Sequence, residues 1–243
     1  MSQLQDTFIG LFRERGLDVS EVQLKQFEVY YQLLVEWNEK MNLTAITDRD
    51  QVYIKHFYDS AALSFFVAMK RIVTLADIGS GAGFPSIPLK IIYPHLKITI
   101  VDSLNKRIMF LRHLVETLNL SEVECVHARA EDAGRYPALR DSFDLVTARA
   151  VARLNVLNEL CLPFVRTGGQ FVAMKGSGAE EEIEEAQFSL QELRAKFVSD
   201  HSFVLPIENA NRHMIIIAKT GNTPKKYPRK AGMPLKAPLI GKQ

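Results

Sequence analysis

The stretch Val73-Thr74-Leu75-Ala76-Asp77-Ile78-Gly79-Ser80-Gly81-Ala82-Gly83-Phe84-Pro85 decides the fold. Its apolar first half reads as a buried strand, its alternate glycines as a tight loop, and Pro88-Leu89-Lys90-Ile91-Ile92 as the start of a helix. Alternating glycines permit positive φ and bring the backbone close to a ligand with no Cβ in the way, so the loop is expected to cradle a nucleotide-like molecule. A dinucleotide loop of the G-x-G-x-x-G type needs its third glycine where Phe84 stands. Asp77 would repel a diphosphate but attract the ammonium of a methionyl group, which favours S-adenosylmethionine over NAD. The plain alternative is a strand-turn-helix connection with incidental glycines.

Outward from the loop, strands and helices alternate. Strands are predicted over 98–101, 123–127, 143–147 and 170–174, helices over 106–118, 154–164 and 180–197, and a closing antiparallel hairpin over 203–205 and 214–218. This alternation implies a parallel sheet with helices on both faces. Before it, Leu4, Phe8, Leu11 and Phe12 share one helical face ended by Gly16, and Ser20 with Gln23 forms a capping box ahead of Leu24, Phe27, Tyr31 and Leu34. Thr47 with Asp50 is expected to cap a third helix carrying Ile54, His56 and Phe57, and a fourth should run from Asp59 through Phe66. The chain divides into a helical cap over 1–70, a sheet domain over 71–219 and a basic, proline-rich arm over 220–243.

Composition fits a globular protein of one domain with an appendage: 243 residues, 47% hydrophobic. No apolar run approaches the roughly 20 residues of a membrane span, and the Met1-Ser2-Gln3-Leu4 start lacks a signal peptide's basic and apolar regions, so a cytoplasmic monomer with no membrane partner is expected. Cys125 and Cys161 read as buried free thiols, and no metal site is expected. Charge is uneven. From Lys219 to Gln243 there are seven basic and no acidic residues, which leaves the rest of a net +2 chain at −5. A cationic arm on a mildly acidic body points to a polyanionic partner. Its four prolines favour an extended chain able to follow a phosphate backbone; Tyr227 would either stack on a base or anchor the arm, and a disordered solubilising end is the plain alternative.

The glycine loop from Asp77 to Pro85, followed by Ile87-Pro88-Leu89, resembles that of the ribosomal RNA small subunit methyltransferase G family, also called glucose-inhibited division protein B. Asn42-Leu43-Thr44, His56 with Asp59-Ser60, Val101-Asp102-Ser103, Ala130-Glu131, Thr147-Ala148-Arg149-Ala150, Lys175-Gly176 and Tyr227-Pro228-Arg229-Lys230 match the family in order and spacing, so the likeness spans nearly the whole chain. It departs at Ser86, where the family usually has glycine; a hydroxymethyl group there either crowds the methionyl end of the cofactor or caps the helix. The resemblance implies an α/β, Rossmann-like class I S-adenosylmethionine-dependent methyltransferase fold, with a seven-stranded, mostly parallel sheet and an N-terminal helical cap. It also implies methylation of guanine N7 in 16S ribosomal RNA, with naked RNA or the small ribosomal subunit as partner.

In such a sheet, ligands bind beyond the carboxyl ends of the strands where the order reverses. Asp77, Gly79, Gly81, Gly83 and Phe84 would then hold the cofactor's methionyl side. Asp102 would accept the ribose hydroxyls, and Ala130 with Glu131 would read the adenine edge. Arg149, at the end of the fourth predicted strand, is the candidate catalytic residue; it would contact guanine O6 or a cofactor carboxylate. That strand lacks the Asn-Pro-Pro-Tyr type motif of exocyclic-amine methylases, whereas guanine N7 has an in-plane lone pair and needs no general base. Alignment and electrostatics would supply catalysis. His56, Arg153, Lys175 and Arg229 are weaker candidates for RNA contact; His56 and Asp59 would share a helix face, with the carboxylate orienting the imidazole. Two other functions stay open: a small-molecule methyltransferase, which leaves the arm idle, and a non-catalytic RNA-binding protein, which leaves the carboxylates idle.

Overall fold

The computed structural model describes residues 3–149 and 152–241. Seven strands form one sheet in the order β3-β2-β1-β4-β5-β7-β6. They are β1 (Thr74–Ile78), β2 (Lys97–Asp102), β3 (Val123–His127), β4 (Phe143–Arg149), β5 (Val165–Lys175), β6 (Ala195–Leu205) and β7 (Ala210–Lys219). The first five are parallel; β7 runs antiparallel to both β5 and β6. The order reverses between β1 and β4, so a crevice opens at their carboxyl ends.

Strand residues alternate between two cores, as a pleated strand buried on both faces requires. Leu75, Leu145, Val172, Met174, Met214 and Ile216 join the N-terminal helices in one cluster; Ala76, Val146, Phe171, Ala173, Ile215 and Ile217 pack with the helix Leu154–Cys161 and its neighbours in the other. The N-terminal helices α1 (Gln3–Arg13) and α2 (Glu21–Met41) thus share a core with the sheet. Phe8 is their centre, edge-on to Phe12, Phe27 and Tyr53 at 4.9 to 5.2 Å. The Ser20/Gln23 capping box forms as expected, and the Gln23 amide also donates to the carbonyl of Ile91, tying α2 to the sheet domain.

Several elements differ from the sequence reading. Asp48, not Thr47, caps the next helix by accepting from the Gln51 N–H. Residues Val52–Tyr58 are wound as a π-helix, and Asp59–Ala61 gives way to a 3-10 turn at Ala62–Phe65. The charged helix ends early: Ala179–Glu185 and Gln187–Glu192 are helical, but Phe197 lies in β6. Strand β5 runs through Gly168-Gly169, because a Cβ at Gly169 would meet the Asp144 carbonyl oxygen at 2.8 Å.

The C-terminal segment departs most from an extended arm. Tyr227 and Leu239 are buried in the second core, and Met233–Lys236 is a short helix. Three of its cations find acids elsewhere in the chain. Lys219 is buried against Asp141 at 2.9 Å, Lys226 pairs with Glu192, and Arg229 forms a two-pronged pair with Glu159, which is 1% exposed. Such pairs do not show in local charge counts, because Glu159 is 70 residues from Arg229. Met1-Ser2, Ala150 and Lys242, which the sequence reading used, lie outside the described residues.

Candidate active site

The glycine loop stands between two buried carboxylates. Asp77 ends near the close of β1 and is fully buried; its Oδ2 accepts from the Ser86 N–H at 3.1 Å, while no donor reaches its Oδ1. Burial drives its pKa up to about 6, against hydrogen bonding from Ser86 and the Ser80 hydroxyl and the charge of Arg149, which favour the charged form. A buried acceptor with no donor is a costly feature in a folded protein and suits a site that receives a cation. Asp102, at the end of β2, is 2% exposed and holds the loop directly: it accepts from the Gly81 N–H at 3.1 Å and the Leu104 N–H at 2.9 Å, with Arg107 alongside.

The three glycines serve different ends. Gly81 has φ +63° and open space where a Cβ would stand, so it faces the crevice. Gly83, at φ +101°, backs onto protein: a Cβ there would meet Tyr30 Oη at 2.7 Å and Ile87 at 2.9 Å. Tyr30 donates its hydroxyl to the Ala82 carbonyl at 2.6 Å and stacks on Phe84. The helical cap therefore fixes the loop's shape, a contribution that no feature of the loop sequence announces. Gly79 continues the strand's hydrogen bonding by donating to Val101 O. Ser86 does not cap its helix: Pro85 occupies the N-cap, and the Ser86 side chain is buried 3.3 Å from Ser80 Oγ.

Beside the loop, β4 delivers Arg149. Its guanidinium is partly buried, 4.9 Å from the Phe84 ring centroid, and one nitrogen donates to Asp59 Oδ2 at 3.2 Å and to Lys55 O. Asp59 Oδ1 accepts from Arg212 on β7, so one carboxylate aligns two arginines from strands two places apart in the sheet. His56 stacks on Phe84 at 4.5 Å, and its Nε2 lies 2.9 Å from Thr44 Oγ1. Burial first, then the Arg149 charge, lowers its pKa to about 4, so the ring is neutral near neutrality. The expected Asp59–His56 pair is thus replaced by Asp59–Arg149 and Thr44–His56.

Arg149, Asp59, Arg212 and His56 line a cavity of about 450 Å³ at the carboxyl ends of β4 and β5, together with Lys175, Glu182 and His213; Phe84 and the glycine loop stand outside its lining. Lys175 is paired with Glu182 at 2.8 Å and donates to Ala152 O. Arg153 is exposed and bound to Glu185, and Arg229 is held by Glu159; neither lines this cavity. Ala130 and Glu131 start the short helix Ala130–Ala133 after β3, and Glu131 accepts from the Gly232 N–H, joining the C-terminal segment to that rim. Arg212, Lys55, Met174 and Met214 escaped sequence reading; Arg212 sits two residues before the apolar run of β7, and only the β5-β7 pairing brings it here. Among the described residues no cluster suited to a metal ion is found, and no helix is long and apolar enough to cross a membrane.

The residues fit S-adenosylmethionine: an open positive-φ glycine, a buried carboxylate with a spare acceptor for a cation, and a second carboxylate 25 residues on at the next strand end. Solved structures with the same fold include M. jannaschii TYW2 in complex with AdoMet (TM-score 0.53, 16% identity, 69% of this chain and 76% of that one). Another is a putative O-methyltransferase from Klebsiella pneumoniae (TM-score 0.54, 12% identity, 79% and 90%). Among relatives in sequence, the ribosomal RNA small subunit methyltransferase G of Bacillus pumilus is 55% identical over 97% of this chain and 99% of its own length. That of Staphylococcus aureus is 56% identical over 95% and 96%. Residues 23–215 match the family model described as GidB, rRNA small subunit methyltransferase G, and with whole-length relatives at this identity the chain belongs to that family.

Proposed function

We propose that the protein transfers a methyl group from S-adenosylmethionine to N7 of a guanine in 16S ribosomal RNA. When bound, the cofactor supplies an electrophilic methyl group on a sulfonium. Asp77 would receive its ammonium, Gly81 would let it approach the backbone, and Asp102 would accept from its ribose. Glu131 and the Ala130 N–H stand at the rim where an adenine edge would lie.

The observation that carries the acceptor assignment is the cavity beside Phe84 and Arg149. At about 450 Å³ it falls within the usual range for small-ligand sites, about 300 to 1,000 Å³. Its walls combine Met174 and Met214 with the aligned arginines. Guanine N7 carries its own lone pair, so the protein's task is to hold the base rather than remove a proton. Arg149, fixed by Asp59 and by the face of Phe84, offers its remaining N–H groups to O6, next to N7, in the manner arginine uses on that edge. His56, neutral and stacked on Phe84, completes an apolar wall and contributes no charge.

Labelled methyl transfer to 16S rRNA, to small subunits, and to a panel of small nucleosides tests the proposal. Transfer confined to the rRNA substrates is expected, and transfer only to free nucleosides would replace it with a small-molecule activity.

A further inference from the structure

On the wall of the acceptor cavity furthest from the glycine loop stands a carboxylate–imidazole pair that methyl transfer to N7 does not require. His213, at the start of β7, has Nδ1 2.7 Å from Asp200 Oδ2 on β6; both side chains are mostly buried, at 14% and 18% exposure. Oδ1 of Asp200 is buried with no donor, so this carboxylate is committed to the imidazole. In the tautomer that donates Nδ1–H to Asp200, Nε2 is left as an acceptor, and no described residue bonds to it. The other carboxylates of the cavity are engaged. Asp59 holds Arg149 and Arg212, and Glu182 accepts from Lys175 and from the Leu154 N–H.

The sheet order fixes how guanine must enter. The cofactor loop lies at β1, and β4, β5 and β7 follow in sequence across the sheet, with Lys175 directly opposite His213 in register. A guanine that turns N7 toward β1 sends the far end of the purine, which carries the 2-amino group, toward β5 and β7. That group is a donor and needs an acceptor on a wall where Lys175 and Arg212 are donors only. We propose that His213, oriented by Asp200, accepts a hydrogen bond from the 2-amino group of the acceptor guanine and so distinguishes it from purines lacking that group. This rests on the guanine N7 assignment above.

The test uses small subunits reconstituted with guanosine or inosine at the methylated position, since inosine keeps N7 and O6 and lacks only the 2-amino group. One hydrogen bond is worth about tenfold at most, so the wild-type kcat/KM should fall by up to about tenfold with inosine. His213→Ala should lower the guanosine value by a similar factor, leave inosine unchanged and bring the ratio to about one. His213→Gln, which retains an acceptor oxygen, should restore part of the preference. Asp200→Ala, which frees the imidazole to rotate, should narrow the ratio and serves as the test if His213→Ala does not fold. Transfer by wild type to neither substrate would overturn the guanine assignment itself. Transfer to guanosine with an undiminished preference in His213→Ala, or no preference in wild type, overturns only the role of His213.

Discussion

Asp77→Asn should make the protein more stable and the enzyme worse. The wild-type carboxylate is buried, with a pKa of about 6 against 3.8 when free. Its folded-state value is raised, so its contribution favours folding below the unfolded pKa and is lost as pH rises from about 3.8 through about 6. The difference of about 2 units corresponds to about 3 kcal/mol of stability withheld above that window. An amide of the same shape keeps the bond from the Ser86 N–H and carries no charge to desolvate. Urea denaturation should therefore show Asp77→Asn more stable by up to about 3 kcal/mol near pH 7.5 and by about 1 kcal/mol near pH 4.5. In calorimetry the same variant should bind S-adenosylmethionine about 10- to 100-fold more weakly, the loss expected of a charge-assisted hydrogen bond. A variant no more stable than wild type at neutral pH, with unchanged cofactor affinity, would refute both the buried charge and its purpose.

Gly81→Val should fold but lose cofactor binding, because a β-branched residue is strained at φ +63° and its side chain would fill the open space there; unchanged affinity in calorimetry would place the cofactor elsewhere. Asp102→Ala should weaken cofactor binding by roughly 1 to 3 kcal/mol, since it removes the proposed ribose acceptor and the bond that holds Gly81. Arg149→Ala leaves Asp59 paired with Arg212, so the fold should survive while methyl transfer is lost; wild-type turnover would remove Arg149 from the mechanism. Arg229→Ala strands the buried Glu159 and should destabilise the protein by about 2 to 4 kcal/mol, with Glu159→Gln restoring part of the loss. Full stability in that variant would return Arg229 to a role in gripping RNA.

The five parallel strands were legible because each sits near a local signal, an apolar run closed by a carboxylate or by turn residues, as at Asp77 and Asp102; of β6 only 203–205 was read, because its polar first half carries no such run. The capping box at Ser20 was legible for the same reason. What local signals miss is long-range pairing. The π-wound segment Val52–Tyr58 reads as an ordinary amphipathic helix, yet its winding accompanies the placement of His56 on Phe84 while Asp59 meets two arginines 90 and 153 residues away. Lys219, Lys226 and Arg229 look unneutralised until Asp141, Glu192 and Glu159 come to meet them. Gly83 reads as a cofactor glycine, although its missing side chain makes room for Tyr30. Arg212 and His213 carry no motif, and only strand register moves them to the cavity.

The most direct test of the account is the chemical identity of the product. Small subunits lacking the modification, incubated with the protein and labelled S-adenosylmethionine, should gain a single methyl group on one 16S rRNA guanine. Because N7 methylation labilises the base, borohydride reduction followed by aniline should cleave the chain at that nucleotide. A labelled guanine that resists this cleavage would place the methyl on another atom and contradict a site built to align a lone pair without a base.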